Sequence, residues 1–405
     1  NPNDEVSNLF YHKLNLEKDY FLHIMKFFDP NNWKDFKIVI NGGNGLGGII
    51  FKKFLSQFTK VNVITINTEP NEQFPHHIPN PLVPNNSLKL IEKLREERAD
   101  LAISLDQDGN SLVFIDETGI IINPNHLSAL LLKIISKKYP GSKVGFDLKQ
   151  SIGLNKKAEE YGLVGIKLSS SFKLINRSLR DLELKYASES NGTYYYSDCN
   201  FSSSPIYTLF LILNYLNETN NKLSQEIANL NLLTSLSWQN NFLLNEFVSW
   251  DDITYALMDI FPDATPDTKD GITLTQEGFA IYCSLYRKHF IQVYIEAQGD
   301  ILLHEIENKI YSKLLNFGVF IGAQHEEVDV EILTSSNRDK FETLLNNLWF
   351  TWNPHYILPI IDMYGDGWRK NIPPEAIIAN YGKEKLNQIL ESKQWELEQS
   401  LRLYY

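Results

Sequence analysis

The sequence predicts an α/β protein: consecutive α/β units, then an α+β unit, then a helical, aromatic-rich C-terminal extension. Three observations predict it. Short apolar strand-like runs alternate with helical stretches from about Phe36 to Ala228, and the pattern restarts once, at Lys143. From about Asn240 strand-like runs follow one another, closed by a helical stretch. The last stretch carries Trp349, Phe350, Trp352, Tyr356, Tyr364, Trp368, Tyr381, Trp395, Tyr404 and Tyr405. The predicted divisions are residues 1–32, 33–140, 141–238, 239–322 and 323–405.

Residues 1–32 read as mostly helical, with Phe10, Leu14, Tyr20, Ile24 and Phe27 as apolar positions. A strand at Phe36–Ile40 meets a glycine-rich turn, Asn41 to Gly48, which opens a helix from about Ile49 to Phe58. A strand at Val61–Ile66 precedes a proline-rich loop ending at Pro84. Asn86 or Ser87 is expected to cap a helix with Leu88, Ile91 and Leu94 on one face. The strand Leu101–Leu105 enters an acidic loop, and a hairpin returns through Leu112–Ile115 and Gly119–Ile122. In the second unit, strands are expected at Lys143–Asp147 and Gly165–Leu168, with another from Tyr186 running into a loop at Gly192. Helices are expected at Ile152–Tyr161, Phe172–Leu182, Ser204–Leu216 and Ser224–Ala228. The third unit is assigned strands at Gly271–Leu274, Gly278–Leu285 and His289–Ala297, and a helix at Ile301–Phe317.

Composition is that of a globular protein, 43% apolar and 22% charged. The net charge of −12 argues against nucleic acid as a partner, because phosphate backbones require basic patches. No apolar run reaches the roughly 18 residues of a membrane span, and the windows Leu130–Ile135 and Tyr207–Leu213 read as buried helices. Cys199 and Cys283 are too few for a disulfide framework, so a reducing, cytoplasmic location is expected.

The acidic loop is the most informative segment. Asp106, Asp108 and Asn110 alternate between two apolar runs, and alternate residues of a tight loop converge on one point. Oxygen donors of this kind suit Mg²⁺ beside a phosphate. An Asx-rich turn explains the same residues; the position at a strand's C-terminal end favours a site. Gly43, Gly45 and Gly48 satisfy G-x-G-x-x-G, with Glu69 at ribose-contact distance in sequence. A tight structural turn fits better, since the following segments do not complete a dinucleotide crevice. Glu189 with Gly192 could bind sugar hydroxyls, or be a solvated loop. Lys173 near a helix start, and Arg287-Lys288-His289, could meet phosphate, or be ordinary surface charge. His76-His77 lacks partners at zinc spacing and reads as loop.

Several segments stand in a telling order. Lys37–Gly47 is a strand followed by a turn close to D-x-x-N-G-x-G. Phe74–Leu82 is close to F-P-x-H-x-P-N-P. Ala99–Ser111 is close to A-D-L-G-I-A-x-D-G-D-x-D-R, with Val113, Asp116, Glu117 and Gly119 matching V-x-D-E-x-G. Ser171–Ile175 is close to G-F-K-x-I, and Ser188–Gly192 to G-E-x-S-G. Asp270–Ile272 and Val293–Ala297 match the frame of a last domain. From about Phe36 to Phe317 the chain thus resembles the α-D-phosphohexomutase family, which includes phosphomannomutase and phosphoglucomutase.

The resemblance implies four domains and an intramolecular transfer of phosphate, an isomerase reaction, between the ends of a hexose phosphate by way of a serine in the first domain. Only that domain's trailing helix would correspond to Asn1–Asn32, and no T-A-S-H-N-P motif occurs, so no catalytic residue is identified. The resemblance assigns Asp106, Asp108 and Asn110 to a Mg²⁺ site weakened by the amide. It assigns Glu189, Asn191 and Gly192 to the sugar, and Lys173, Arg287 and Lys288 to phosphate. Ser111 stands where the family has a phosphate-facing arginine; Asn191 and Thr193 stand for a serine and a histidine. The R-x-S-G-T-E-P phosphate cradle is not recognisable between Cys283 and His289, where Leu285 and Tyr286 would block backbone access. Concerted losses of this kind point to a catalytically degraded protein with a structural or scaffolding role. Its aromatic C-terminal region would offer a surface to a protein partner or a second copy, or pack on the chain's own domains. The alternatives are a divergent mutase completed by a serine-bearing domain and a sugar-phosphate-binding module.

Overall fold

A computed structural model of the chain describes residues 16–169, 172–230, 235–236, 240–245, 247–268, 270–287 and 290–322. Side chains at 172–174, 235–236, 286–287 and 319–322 lie outside that description, as do the extension 323–405 and the N-terminal positions Phe10 and Leu14. The chain divides into two units, residues 1–233 and 234–405.

The first unit opens with α1 (Glu17–Ile24) and β1 (Phe36–Asn41), followed by α2 (Gly47–Leu55) and β2 (Val61–Ile66). Next come α3 (Leu88–Glu97), β3 (Leu101–Leu105) and β4 (Leu112–Asp116). The strands form one sheet in the order β2-β1-β3-β4. Both α2 and α3 are crossover helices, and β1 therefore lies parallel to β2 and to β3. β4 returns antiparallel as the partner of a hairpin with β3. The expected second half of that return, Gly119–Ile122, reduces to a single bridge between Ile115 and Ile121.

A fifteen-residue helix, α4 (Pro124–Lys138), leads into β5 (Lys143–Asp147), α5 (Gly153–Glu160), β6 (Val164–Leu168), α6 (Phe172–Asp181) and β7 (Tyr186–Ser188). Asn123 caps α4 by accepting from the Asn125 N–H at 2.9 Å, with Pro124 at the first helical position. β8 (Tyr194–Tyr196), β9 (Ser202–Ser203), α7 (Pro205–Thr219) and α8 (Leu223–Ala228) complete the unit. Its second sheet runs β6-β5-β7-β8-β9, parallel across β6, β5 and β7 and antiparallel beyond. The topology around β1 thus recurs around β5, as the restart of the sequence pattern at Lys143 predicts.

One apolar cluster runs from Ile24 to Leu230 and includes side chains from both sheets. α7 explains why: 11 of its 15 residues are buried, so it presents apolar side chains on all sides rather than along one stripe. No helix among the described residues is long and apolar enough to cross a membrane.

The structure corrects two local expectations. Helix α3 follows a 3₁₀ turn at Pro84–Ser87, and neither Asn86 nor Ser87 supplies a side-chain cap. Its buried positions are Leu90 and Leu94, four residues apart on one face, whereas Leu88, the first residue of the helix, is exposed.

The second unit contains β10 (Ser235–Leu236), β11 (Asn240–Leu244), α9 (Trp250–Ile260), β12 (Thr265–Asp267), β13 (Ile272–Gln276), β14 (Phe279–Arg287), β15 (Phe290–Ala297), α10 (Asp300–Leu314) and β16 (Gly318–Gly322). The sheet is antiparallel throughout, in the order β12-β13-β14-β15-β11-β16, with β10 also paired to β15. Side chains of α9 and α10 share its core with Phe242, Ile281, Cys283 and Val293. Ser249 and Asp252 form a reciprocal capping box at the start of α9.

Candidate functional site

Parallel neighbours β1 and β3 end side by side, and their loops meet there. The Leu46 N–H donates to the Gln107 carbonyl at 3.0 Å. A Cβ on Gly45 would stand 2.3 Å from that same oxygen, and one on Gly47 would stand 2.9 Å from the Gly109 Cα. These glycines therefore exist for a backbone-on-backbone contact between the turn and the acidic loop. The two histidines close the turn from its other side: His76 Nδ1 lies 2.8 Å from Asn44 Oδ1, and His77 Nε2 lies 3.2 Å from Asn41 Nδ2.

The acidic loop is folded on itself. The Ser111 N–H donates to Asp106 Oδ1 at 2.9 Å, and Asn110 Nδ2 donates to Asp108 Oδ2 at 2.5 Å. Burial pushes the Asp106 carboxyl up to about 6. The Ser111 N–H opposes that rise and the negative charge of Asp108 adds to it. Two carboxylates and an amide thus share the loop, with the amide nitrogen engaging one of the oxygens a cation would need. Among the described residues, no group of three His, Cys, Asp or Glu side chains is placed to hold a metal ion. Two carboxylates with waters and a phosphate are a usual donor set for Mg²⁺, and an amide in place of a third carboxylate lowers the charge that would hold the ion.

The equivalent loop of the second sheet follows β7. Gly192 has φ +86°, and a Cβ there would stand 2.6 Å from the Leu112 carbonyl. The Leu112 N–H donates to the Gly192 carbonyl at 3.0 Å, and Ser111 and Thr193 form an antiparallel bridge. Their hydroxyls lie 2.7 Å apart, both buried. The two loops are therefore sewn together at the very positions, 111 and 193, where the resemblance expects a cation and a histidine. Asn191 is exposed, and its side chain folds back to accept the Thr193 N–H at 3.0 Å.

Glu189 sits beside this seam. The Tyr195 hydroxyl donates to its Oε1. Burial pushes its carboxyl up to about 7; the Tyr195 hydrogen bond and Lys149 oppose the rise, and Asp147 adds to it. Asp147, the last residue of β5, is buried and accepts from the Lys149 N–H at 2.9 Å, the Ser190 N–H at 3.1 Å and Ser190 Oγ at 3.3 Å. Burial raises its carboxyl as well, against the pull of Lys149, Ser190 and Lys167.

The structure brings together Asp106, Asp108 and Asn110 in one loop, and Glu189, Asn191 and Gly192 in another. It places Lys173 on α6 and Arg287 at the end of β14, with both side chains outside the described set; Lys288 lies outside the described residues altogether. Sequence reasoning missed Asp147 and Tyr195. The signal for Asp147 was its place at the C-terminal end of a predicted parallel strand, where α/β sheets carry ligand groups.

Residues 18–119 match the α/β/α domain II of phosphoglucomutase/phosphomannomutase, and residues 123–232 match domain III. The chain belongs to the phosphoglucomutase/phosphomannomutase family. It is 26% identical over 300 residues to a protein named phosphohexose mutases in Xanthomonas campestris, covering 73% of this chain and 66% of that relative. With a phosphomannomutase of Vibrio cholerae it shares 27% identity over 210 residues, 51% of this chain and 45% of the other. The chain thus spans just under two thirds of the first relative's length and under half of the second's. Its fold is similar to a phosphoglucomutase/phosphomannomutase family structure from Burkholderia thailandensis, with TM-score 0.65 and 22% identity, over 76% of this chain and 65% of that one. The phosphoglucomutase parafusin of Paramecium, in its open form, superposes with TM-score 0.57 at 13% identity, over 88% of this chain and 64% of that one.

Proposed function

We propose that this phosphohexomutase-fold chain no longer performs phosphoryl transfer and serves a structural or scaffolding role. The buried hydroxyl pair of Ser111 and Thr193 carries the proposal. Phosphoryl transfer rests on positioning and on cationic stabilisation of developing negative charge. A neutral pair, closed by a backbone bridge, supplies no charge at the place where the resemblance puts an arginine. Asn110 weakens the neighbouring loop in the same direction, so any Mg²⁺ at Asp106 and Asp108 is held loosely. The seam also supports the structural half of the proposal, because it ties two sheets that already share one core. The aromatic residues of 323–405 would supply the surface for a protein partner or a second copy.

The test is a mutase assay on the full-length product with mannose 1-phosphate or glucose 1-phosphate, glucose 1,6-bisphosphate and Mg²⁺. No turnover is expected. Turnover, whether by the chain alone or after a separate serine-bearing domain is added, would establish a divergent mutase instead.

A second reading, binding of a hexose phosphate without turnover, is favoured by one observation. Glu189 keeps a carboxylate at the strand end with one oxygen fixed by Tyr195, and its other oxygen has no partner among the described residues.

A further inference from the structure

We propose that Tyr195 and Asp147 are positioning residues for Glu189, one fixing its Oε1 and the other its loop, so that Oε2 is presented to a sugar hydroxyl. The inference rests on the hexose phosphate reading of the Glu189 loop and names the parts that make that loop competent.

The geometry is specific. β7 and β8 are antiparallel neighbours, and Ala187 pairs with Tyr195 across the hairpin. That register sets the buried tyrosine ring beneath the turn that starts two residues later, and its hydroxyl reaches Glu189. The turn is held from the other side by β5. Asp147 takes both the N–H and the hydroxyl of Ser190, the residue next to Glu189. Donors converge on Asp147 from Lys149 and Ser190, a set that fits an ionised carboxylate. The turn itself is closed by the Gly192 N–H to the Glu189 carbonyl at 3.2 Å and by the Glu189 N–H to the Thr193 carbonyl at 2.9 Å. A carboxylate fixed at one oxygen loses little further freedom on binding, which is how a preformed site favours its ligand. The charged and titratable groups that act on Glu189 are Tyr195 from β8, Asp147 from the end of β5 and Lys149 just beyond it.

Two substitutions separate this arrangement from mere packing, because they act on Glu189 in opposite senses. Tyr195→Phe removes a donor that favours the ionised carboxylate, so the Glu189 midpoint rises above its starting place. Asp147→Asn removes a neighbouring negative charge, so the midpoint falls. The readout is the carboxyl carbon resonance of Glu189 followed by NMR from pH 5 to 9, assigned with Glu189→Gln. Calorimetry with glucose 6-phosphate at pH 7 is run on the same proteins, and Tyr195→Phe is expected to bind a few-fold more weakly than the unsubstituted chain. Either substitution decides the point alone if the other fails to fold. Midpoints that move as stated support the positioning roles, and they do so even if no protein binds glucose 6-phosphate, an outcome that removes the sugar reading only. A Glu189 midpoint unmoved by substitution overturns the proposal whether or not glucose 6-phosphate binds.

Discussion

The two strand-end loops of the first unit occupy equivalent places and have been treated differently. The loop after β3 keeps Asp106 and Asp108, but its oxygens are engaged by its own amide and backbone donors, and Ser111 is closed into a buried bridge. The loop after β7 keeps Glu189, with Tyr195 and Asp147 arranged around it. The difference lies in how each contact was made. A phosphate-facing arginine needs space and solvent or anion to offset its charge, and once it is replaced by a small hydroxyl residue the backbone can close over the gap. A carboxylate held by a tyrosine hydroxyl is part of the packing of its own hairpin, so removing it would leave a buried donor unsatisfied.

The sharpest way to break this comparison is to restore charge at the seam. Ser111→Arg forces a guanidinium into a buried space closed by the Thr193 hydroxyl and the backbone bridge, and is expected to destabilise the chain by about 3–5 kcal/mol in urea unfolding. A neutral result would mean that the seam opens readily and that its closure is incidental. Next in size is Gly45→Ala. A Cβ 2.3 Å from the Gln107 carbonyl cannot be relieved by rotating a side chain, so a loss of about 3 kcal/mol is expected. A tolerated alanine would show that turn and acidic loop are not bound to each other.

The pH dependence sharpens the other side. The Glu189 carboxyl is raised from 4.5 to about 7, so its contribution to stability is fully present below pH 4.5 and is lost as pH rises to about 7. Glu189→Gln removes that loss. The stability of this variant relative to the unsubstituted chain should therefore increase between pH 4.5 and pH 7, measured by denaturant midpoints at each pH. A flat difference would place Glu189 in water. The smallest effect concerns the seam hydroxyls. A double-mutant cycle on Ser111→Ala and Thr193→Ala should give a coupling of about 1 kcal/mol, the worth of one buried neutral hydrogen bond. Additive effects would mean that the two hydroxyls do not act as a pair.

Much of the fold is legible in the sequence because most of the parallel strands are short, largely apolar and β-branched runs between polar turns. Leu101–Leu105, Lys143–Asp147 and Val61–Ile66 are found where the runs predict them. Tyr194–Tyr196 forms a strand that the sequence does not announce, because three buried tyrosines in succession show no alternation. α9 goes beyond the strand-like runs expected from about Asn240 onward: its buried positions are Ile253, Ala256 and Leu257. For the site, the alternating oxygens of the acidic loop announce themselves, and the glycines before it suggest a tight turn. What the sequence could not reveal is what that turn touches. Ser111 and Thr193 lie 82 positions apart, and two small hydroxyl residues carry no periodic or compositional mark. Tyr195 was likewise hidden among other tyrosines, since its role depends on the register of a hairpin.

The most direct test of the central claim is positional exchange of phosphate, followed by phosphorus NMR on the full-length product. Mannose 1-phosphate is incubated with the protein, glucose 1,6-bisphosphate and Mg²⁺. The account predicts that no 6-phosphate forms. Formation of mannose 6-phosphate, abolished by Asp108→Asn, would contradict it.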